Sequence, residues 1–288
     1  MSALAGAIHA AGGQATVIGD AALHHGDCLD LVPTIVARHG PFDHVIADPP
    51  YEDVLHKAAA KGSVARTDGR PEPRGPAFAG IAQIRNEAAA AMVAASRGWV
   101  LAFCLAEGVG AWQAALKAAG AKWDTTLAWV KPDAAPRFNG QGAARGFECI
   151  AAAWAGTGHR SWNGGGRRGV FTHLTAKGGH ETAKPVDLMM ALIALYTRPG
   201  DLVCDPFMGS ATTGVAALRL GRRFVGIEKD GKHFALARAR IAALEAAPML
   251  AFEASEATPC HKGGKATFEG SKAVQASLEL DSPEPEAS

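Results

Sequence analysis

Cysteine is scarce and unclustered in this chain. The five cysteines, Cys28, Cys104, Cys149, Cys204 and Cys260, include no CxxC pair. That excludes a disulfide framework and the common zinc-site spacing. Cys104, Cys149 and Cys204 fall in apolar, strand-like runs and read as buried reduced thiols. No apolar run is long enough to span a membrane, and no basic-then-apolar leader opens the sequence. Neither a membrane partner nor a signal peptide is expected, and the expected location is the cytoplasm. Net charge is nearly absent as well, at +1 over 288 residues. The balance hides an asymmetry, because residues 245–288 carry eight acids against three bases and the remainder is net basic by +6. A modestly basic body suits a polyanionic partner without requiring one.

What is present is a long alternation of strand-like and helix-like stretches. Helical spacing runs from Cys28 to His39 and is closed by Gly40. A buried strand, Phe42 to Ala47, leads straight into Asp48-Pro49-Pro50-Tyr51. A helix is expected near 81–97, a strand at Trp99–Leu105 and a helix at Val109–Ala119. Strands are expected near 123–130 and 148–154. Further on come a helix from Val186 to Tyr196 behind Pro185, a strand at Leu202–Cys204 and a helix from Thr212 to Leu220. A strand at Phe224–Ile227 and a helix over 231–246 complete the pattern. Two stretches break it. Residues 53–80 are rich in proline, glycine and bases and read as a mobile loop. Residues 156–179 hold eight glycines with Arg160, Arg167, Arg168 and Trp162. The end of the chain, 247–288, is poor in large apolar residues and reads as a disordered acidic tail. Residues 1–246 then form one α/β domain.

Two segments point to chemistry. Asp48-Pro49-Pro50-Tyr51 follows a strand, and in an open α/β sheet ligands bind beyond the carboxyl ends of strands. An exocyclic amine on a nucleobase is a poor nucleophile, because its lone pair is delocalised into the ring. Hydrogen-bond acceptors on both of its protons localise that pair. The Asp48 carboxylate and the Pro49 carbonyl can serve as those acceptors, the prolines stiffen the turn, and the Tyr51 ring can stack on a flipped base. A plain strand-ending turn would use the same residues. The second segment is Asp205-Pro206-Phe207-Met208-Gly209-Ser210-Ala211-Thr212-Thr213-Gly214, between a strand and a helix. Gly209 lets a ligand approach the backbone, and the helix start offers free N–H groups. Glu228, at the end of the next strand, stands where an acid can hold ribose hydroxyls. The alternative for Glu228 is an ordinary acid at a helix N-terminus.

Order and content together resemble the S-adenosylmethionine-dependent DNA amino-methyltransferases in the permuted arrangement called the β class, where the Asp-Pro-Pro-Tyr segment precedes the glycine motif. Between them, His180-Glu181-Thr182-Ala183-Lys184-Pro185 is similar to the family's His-Pro-Thr-Gln-Lys-Pro, and Gly26-Asp27-Cys28 to its turn facing the cofactor's adenine. Glu181, Ala183 and Ala211 depart from the family pattern.

The resemblance implies a Rossmann-like, mostly parallel seven-stranded sheet with helices on both faces. It implies base flipping and direct transfer of a methyl group from S-adenosyl-L-methionine to the N6 amine of adenine, with no metal. Asp at the first motif position favours adenine, and the N4 amine of cytosine is the nearest alternative. A non-catalytic DNA-binding relic is a third reading. The implied catalytic residues are Asp48, Pro49, Pro50 and Tyr51. Those implied for the cofactor are Asp27, Cys28, Lys184, Asp205, Phe207, Gly209, Ser210, Thr212, Thr213 and Glu228. Double-stranded DNA is the expected partner, with a homodimer as an open option. Arg66, Arg70 and Arg74 in the first irregular stretch, and Arg167 and Arg168 in the second, are the expected DNA contacts, and both stretches are candidates for target recognition. Glu148, at the start of a strand, has either a structural or a substrate-facing role. Trp162 is expected to pack against the domain rather than stack on a base.

Overall fold

The structure is a computed structural model that describes residues 15–50, 81–136, 141–176 and 184–246. Tyr51, Arg66, Arg70, Arg74 and the acidic tail lie outside the described residues.

The chain begins with a hairpin, β1 (Ala15–Ile18) and β2 (Ala21–His25), followed by α1 (Cys28–His39) and β3 (His44–Ala47). Next come α2 (Arg85–Ala95), β4 (Trp99–Cys104), α3 (Val109–Ala118), β5 (Lys122–Val130) and β6 (Phe147–Trp154). The third stretch holds β7 (Val170–Thr172), α4 (Val186–Tyr196) and β8 (Leu202–Asp205). It closes with α5 (Thr212–Arg219), β9 (Arg223–Glu228) and α6 (Gly231–Ala246). Among the described residues, all strands join one sheet in the order β1-β2-β9-β8-β3-β4-β6-β5-β7. Of these nine, only β1 and β6 run against the others. The inner run from β2 to β5 has the seven strands that the resemblance implies; six of them match strands located in the sequence, and β2 was not among those six. The two additions are short edge strands, β1 of four residues and β7 of three, and β7 lies inside the glycine-rich stretch.

Alternation along the strands sends successive side chains to opposite faces. Val45, Ala47, Val100, Ala102 and Cys104 join one buried cluster with Val32 and Ile35 of α1, Met92 of α2, and Trp112 and Leu116 of α3. Ile46, Leu101, Phe103 and Val203 join the other, with Leu188 and Leu192 of α4, Val215 of α5, and Ala237 and Ile241 of α6. The first three helices therefore cover one face and the last three the other. Trp162 packs edge-on to Tyr196 at 4.9 Å, as expected of a packing residue.

This layout creates a switch point. From β8 the chain moves through α5 to β9 on one side; from β3 it moves through α2 to β4 on the other. β3 and β8 are parallel neighbours, with His44 opposite Val203 and Val45 opposite Cys204. A crevice opens outside the carboxyl ends of two such diverging strands.

The opposite end of this seam is locked by polar groups. His44 is buried, its Nδ1 accepts the Trp99 N–H at 3.0 Å, and its Nε2 lies 3.1 Å from Asp201 Oδ2. Burial pushes the His44 pKa down, which favours the neutral ring this pattern needs. Asp43 accepts from the Leu202 N–H and from Arg97, both at 2.8 Å. Gly98 runs hard against this lock: a Cβ there would stand 2.5 Å from the Asp43 carbonyl oxygen and 2.6 Å from His44 Nδ1. Gly98→Ala should therefore lower stability by about 2–3 kcal/mol, the upper range for overpacking. Urea denaturation followed by circular dichroism measures this; an unchanged midpoint would show that the backbone there can yield.

Candidate functional site

Four strand ends meet at the carboxyl edge of the sheet. Asp205 ends β8 and is paired in register with Gly226, while Glu228 ends β9 opposite His25 of β2. Asp48 follows directly on β3. The Gly26 N–H donates to the Glu228 carbonyl at 2.9 Å, which brings the Gly26-Asp27-Cys28 turn to the same edge. Asp27, Asp48, Asp205 and Glu228 thus gather from four segments of the chain.

Each acid is held differently. Asp205 is buried, and its carboxylate accepts from the Phe207 N–H at 3.0 Å and from the Thr213 hydroxyl at 2.6 Å. Burial raises its pKa to about 7; these two hydrogen bonds oppose the rise, and the neighbouring charges of Asp48 and Glu228 add to it. Glu228 accepts from the Gly209 N–H at 2.9 Å and from the Asp230 N–H at 2.7 Å, which pins the glycine turn to β9. Asp27 caps α1 by accepting the Leu29 N–H at 2.9 Å and receives Lys229 Nζ at 2.8 Å. These contacts, that to Lys229 foremost, hold its pKa below the usual carboxylate range. Cys28 beside it is buried, and burial pushes its thiol up to about 12, so it is no thiolate.

The turn itself is set by backbone conformation. Gly209 takes φ 52°, and among the described residues nothing lies within 4 Å of where its Cβ would stand. That face of the turn is open for a ligand. Ala211 takes φ 60° and ψ 40°, a left-handed conformation that glycine adopts more readily. Ser210 and Thr212 turn to the protein: Arg240 of α6 donates to the Ser210 carbonyl and hydroxyl, at 2.7 and 2.8 Å, and to the Thr212 hydroxyl at 3.3 Å. The hydroxyls of Ser210, Thr212 and Thr213 therefore brace the turn, and its backbone is what faces outward.

Lys184 lies against Asp48. Its Nζ lies 2.7 Å from both oxygens of Asp48. It also lies 3.6 Å from Glu148 Oε2 and 5.1 Å from the Phe103 ring. Burial pushes the Asp48 carboxyl above its ordinary value, and Lys184 holds it back. Pro49 is buried and Pro50 half-buried, which keeps the turn after Asp48 stiff. Arg167 and Arg168 are exposed just before β7. β7 lies four strand positions from β3, about 19 Å across the sheet, so these arginines are not in the first ring around Asp48.

Sequence reasoning missed Lys131, which pairs with Glu148, and Arg240. Lys131 could have been found by pairing the two strands near 123–130 and 148–154 as a hairpin, since Trp129 stands opposite Glu148. Arg240 gives no such signal, because a basic residue on a terminal helix ordinarily faces solvent.

A family model described as DNA methylase, for N6 and N4 methyltransferases, matches residues 42–239. The chain belongs to this DNA methylase family. Among its relatives is the type II methyltransferase M2.DpnII of Streptococcus pneumoniae, 48% identical over 66 residues, which are 23% of this chain and 25% of that protein. Another is the type II methyltransferase M2.LlaDCHI of Lactococcus lactis subsp. cremoris, 42% identical over 64 residues, 22% of this chain and 24% of that protein. The matched stretch is thus about a quarter of each curated relative. The fold is shared more broadly. A crystal structure of an M1.HpyAVI–SAM complex superposes with TM-score 0.60 at 24% identity, over 76% of this chain and 99% of that one. The cytosine-N4-specific PvuII DNA methyltransferase gives TM-score 0.54 at 14% identity, over 80% and 87%. Among the described residues no helix is long and apolar enough to cross a membrane, and no cluster of three metal-ligating side chains occurs.

The raised Asp205 carboxyl gives a pH signature. A folded-state pKa near 7 against an ordinary 3.8 means that its contribution to stability is fully present below about 3.8 and is lost as pH rises through about 7. Asp205→Asn cannot ionise and should gain on the wild type as pH rises from 5 to 8. Urea midpoints of both proteins across that range provide the check; a constant gap would mean that Asp205 is ionised in the fold.

Proposed function

We propose that this chain transfers a methyl group from S-adenosyl-L-methionine to the exocyclic N6 amine of adenine in double-stranded DNA, with the target base turned out of the helix. The observation that carries the reading is the placement of Asp48 beside the Asp205–Gly209–Glu228 turn, across one switch point. The family supplies the reaction class, and the relatives named above are called type II methyltransferases.

The residues fit such a cofactor. S-adenosylmethionine carries a sulfonium and an ammonium, and the site gathers carboxylates around a turn with an open backbone face. Asp205, Phe207, Gly209 and the helix start behind them would hold its amino-acid end, with Glu228 and the Asp27-Cys28 turn toward the ribose and adenine. When bound, the cofactor supplies an electrophilic methyl group. The chain's own task is the amine. One Asp48 oxygen accepts a hydrogen bond from one amine proton, and the Pro49 carbonyl accepts the other. This localises the nitrogen lone pair and aims it. Lys184 opposes the rise that burial causes in the Asp48 pKa and so favours the ionised form, which accepts rather than donates. The proton that the methylated amine sheds passes to an Asp48 oxygen and on to solvent. Tyr51 is assigned to stack on the base.

The N4 amine of cytosine needs the same two acceptors, and the shared fold of the cytosine-N4-specific PvuII enzyme keeps that target as the second reading. Methylation of DNA free of prior modification, followed by base-resolved sequencing, separates the two. Asp48→Ala should cut the single-turnover rate at least about 100-fold, since a positioned charge-stabilising group is worth about 10²–10³. Its cofactor affinity, read by calorimetry, should stay within about threefold. Transfer at more than about a tenth of the normal rate would remove Asp48 from this role.

DNA contact has its own test. Arg167 and Arg168 are solvent-exposed on a body that is net basic by +6. Replacing both by Ala should make the slope of log K against log salt shallower by up to about 2, at about 0.9 per phosphate contact. An unchanged slope in a filter-binding series would move the DNA surface to another part of the chain.

A further inference from the structure

The reaction above makes no use of two charged groups behind Lys184. Glu148 stands at the head of β6, is buried, and lies between two lysines. Its Oε1 pairs with Lys131 Nζ and its Oε2 lies 3.6 Å from Lys184 Nζ. Lys131 sits 4.4 Å over the Trp129 ring, and Trp129 Nε1 donates to the His173 carbonyl at 2.9 Å. The result is a row of alternating charge, Lys131, Glu148, Lys184, Asp48, anchored at its inner end on the β5–β6 pair and ending at the amine acceptor. With Glu148 and Lys184 buried, such a row adds little net stability over apolar packing, because desolvation offsets most of the attraction. Geometry is what it supplies. A lysine ammonium on four methylenes can otherwise swing between the two oxygens of one carboxylate. Glu148 pulls on it from the far side, and the ammonium comes to rest equidistant from both Asp48 oxygens, at 2.7 Å.

We propose that Glu148, steadied by Lys131, is a positioning residue for methyl transfer: it fixes the Lys184 ammonium against both Asp48 oxygens, so that the remaining carboxylate lone pairs point at the target amine. The proposal rests on Asp48 being the amine acceptor. It differs from a clamp that merely closes the β5–β6 hairpin, because its influence must pass through Lys184.

The test is a double-mutant cycle on single-turnover methylation of DNA, with S-adenosylmethionine affinity measured by calorimetry in every variant. Glu148→Gln should slow transfer by about 10- to 100-fold, in line with the cost of a misplacement of about 1 Å. Cofactor affinity should stay within about threefold. Once Lys184→Met has removed the intermediary, adding Glu148→Gln should slow transfer by less than about twofold further, since residues acting in series are not additive. Lys131→Met should give a smaller loss than Glu148→Gln, and Lys131→Arg should restore most of it. A Glu148→Gln rate within twofold of wild type overturns the proposal, as does an equal loss with and without Lys184. If Glu148→Gln fails to melt cooperatively, the same cycle run with Lys131→Met decides on the same criteria. Normal transfer by Asp48→Ala would instead overturn the Asp48 assignment, a result distinguishable from either outcome at Glu148.

Discussion

Everything at the site depends on the pairing of β3 with β8. These strands are remote in the chain, yet they run side by side in the middle of the sheet with His44 opposite Val203. Because the chain leaves them in opposite directions, a crevice opens beyond their ends. Asp48 and Asp205 stand there with the strands that lead to them held by parallel ladders, Asp48 paired with Lys184 and Asp205 bonded to Thr213 and the Phe207 N–H. At the other end of the same seam, Asp43, His44 and Asp201 tie the strands together with side-chain bonds that depend on a neutral imidazole. The seam is closed by polar groups at one end and left open at the other.

The open end concentrates buried charge, and the two halves of the site handle it differently. Around Asp205 the donors among the described residues are neutral, the Thr213 hydroxyl and the Phe207 N–H, and its pKa climbs to about 7. Around Asp48 each charge has an opposite neighbour. Removing one member of a buried ion pair leaves an uncompensated charge and typically costs about 3–5 kcal/mol. The first half is thus suited to receive positive charge from outside. The second is already neutralised and suited to hold a carboxylate ionised and still.

Much of this was legible in the sequence, for physical reasons that differ by element. β3, β4 and β8 are nearly continuous apolar runs, as strands buried on both faces must be, and Asp48, Asp205 and Glu228 mark the ends of β3, β8 and β9. The order of the motifs along the chain made the family recognisable. β1 and β7 were not legible, because three or four residues carry too little periodicity to stand out, and β7 sits among glycines. Lys184 was assigned to the cofactor from its motif alone. Its ammonium sits on Asp48, a contact between residues 136 apart that no local pattern encodes. The placing of Glu148 between two lysines is likewise a product of strand register.

The topology also sets a timetable for the chain as it is made. β2 and β3 are neighbours in sequence but not in the sheet: β2 needs β9 on its inner side and β3 needs β8. Both partners emerge from the ribosome last. With Cys204 trailing Val45 by roughly 160 residues, the β3 edge goes unpaired for about 8–30 s at ordinary translation rates. Through that interval the nascent chain exposes an apolar strand, Val45-Ile46-Ala47, with one side of its ladder empty. Such edges are where chains join the wrong partner. Early binding of a chaperone would cover that edge, and brisk translation through 160–228 would shorten its exposure.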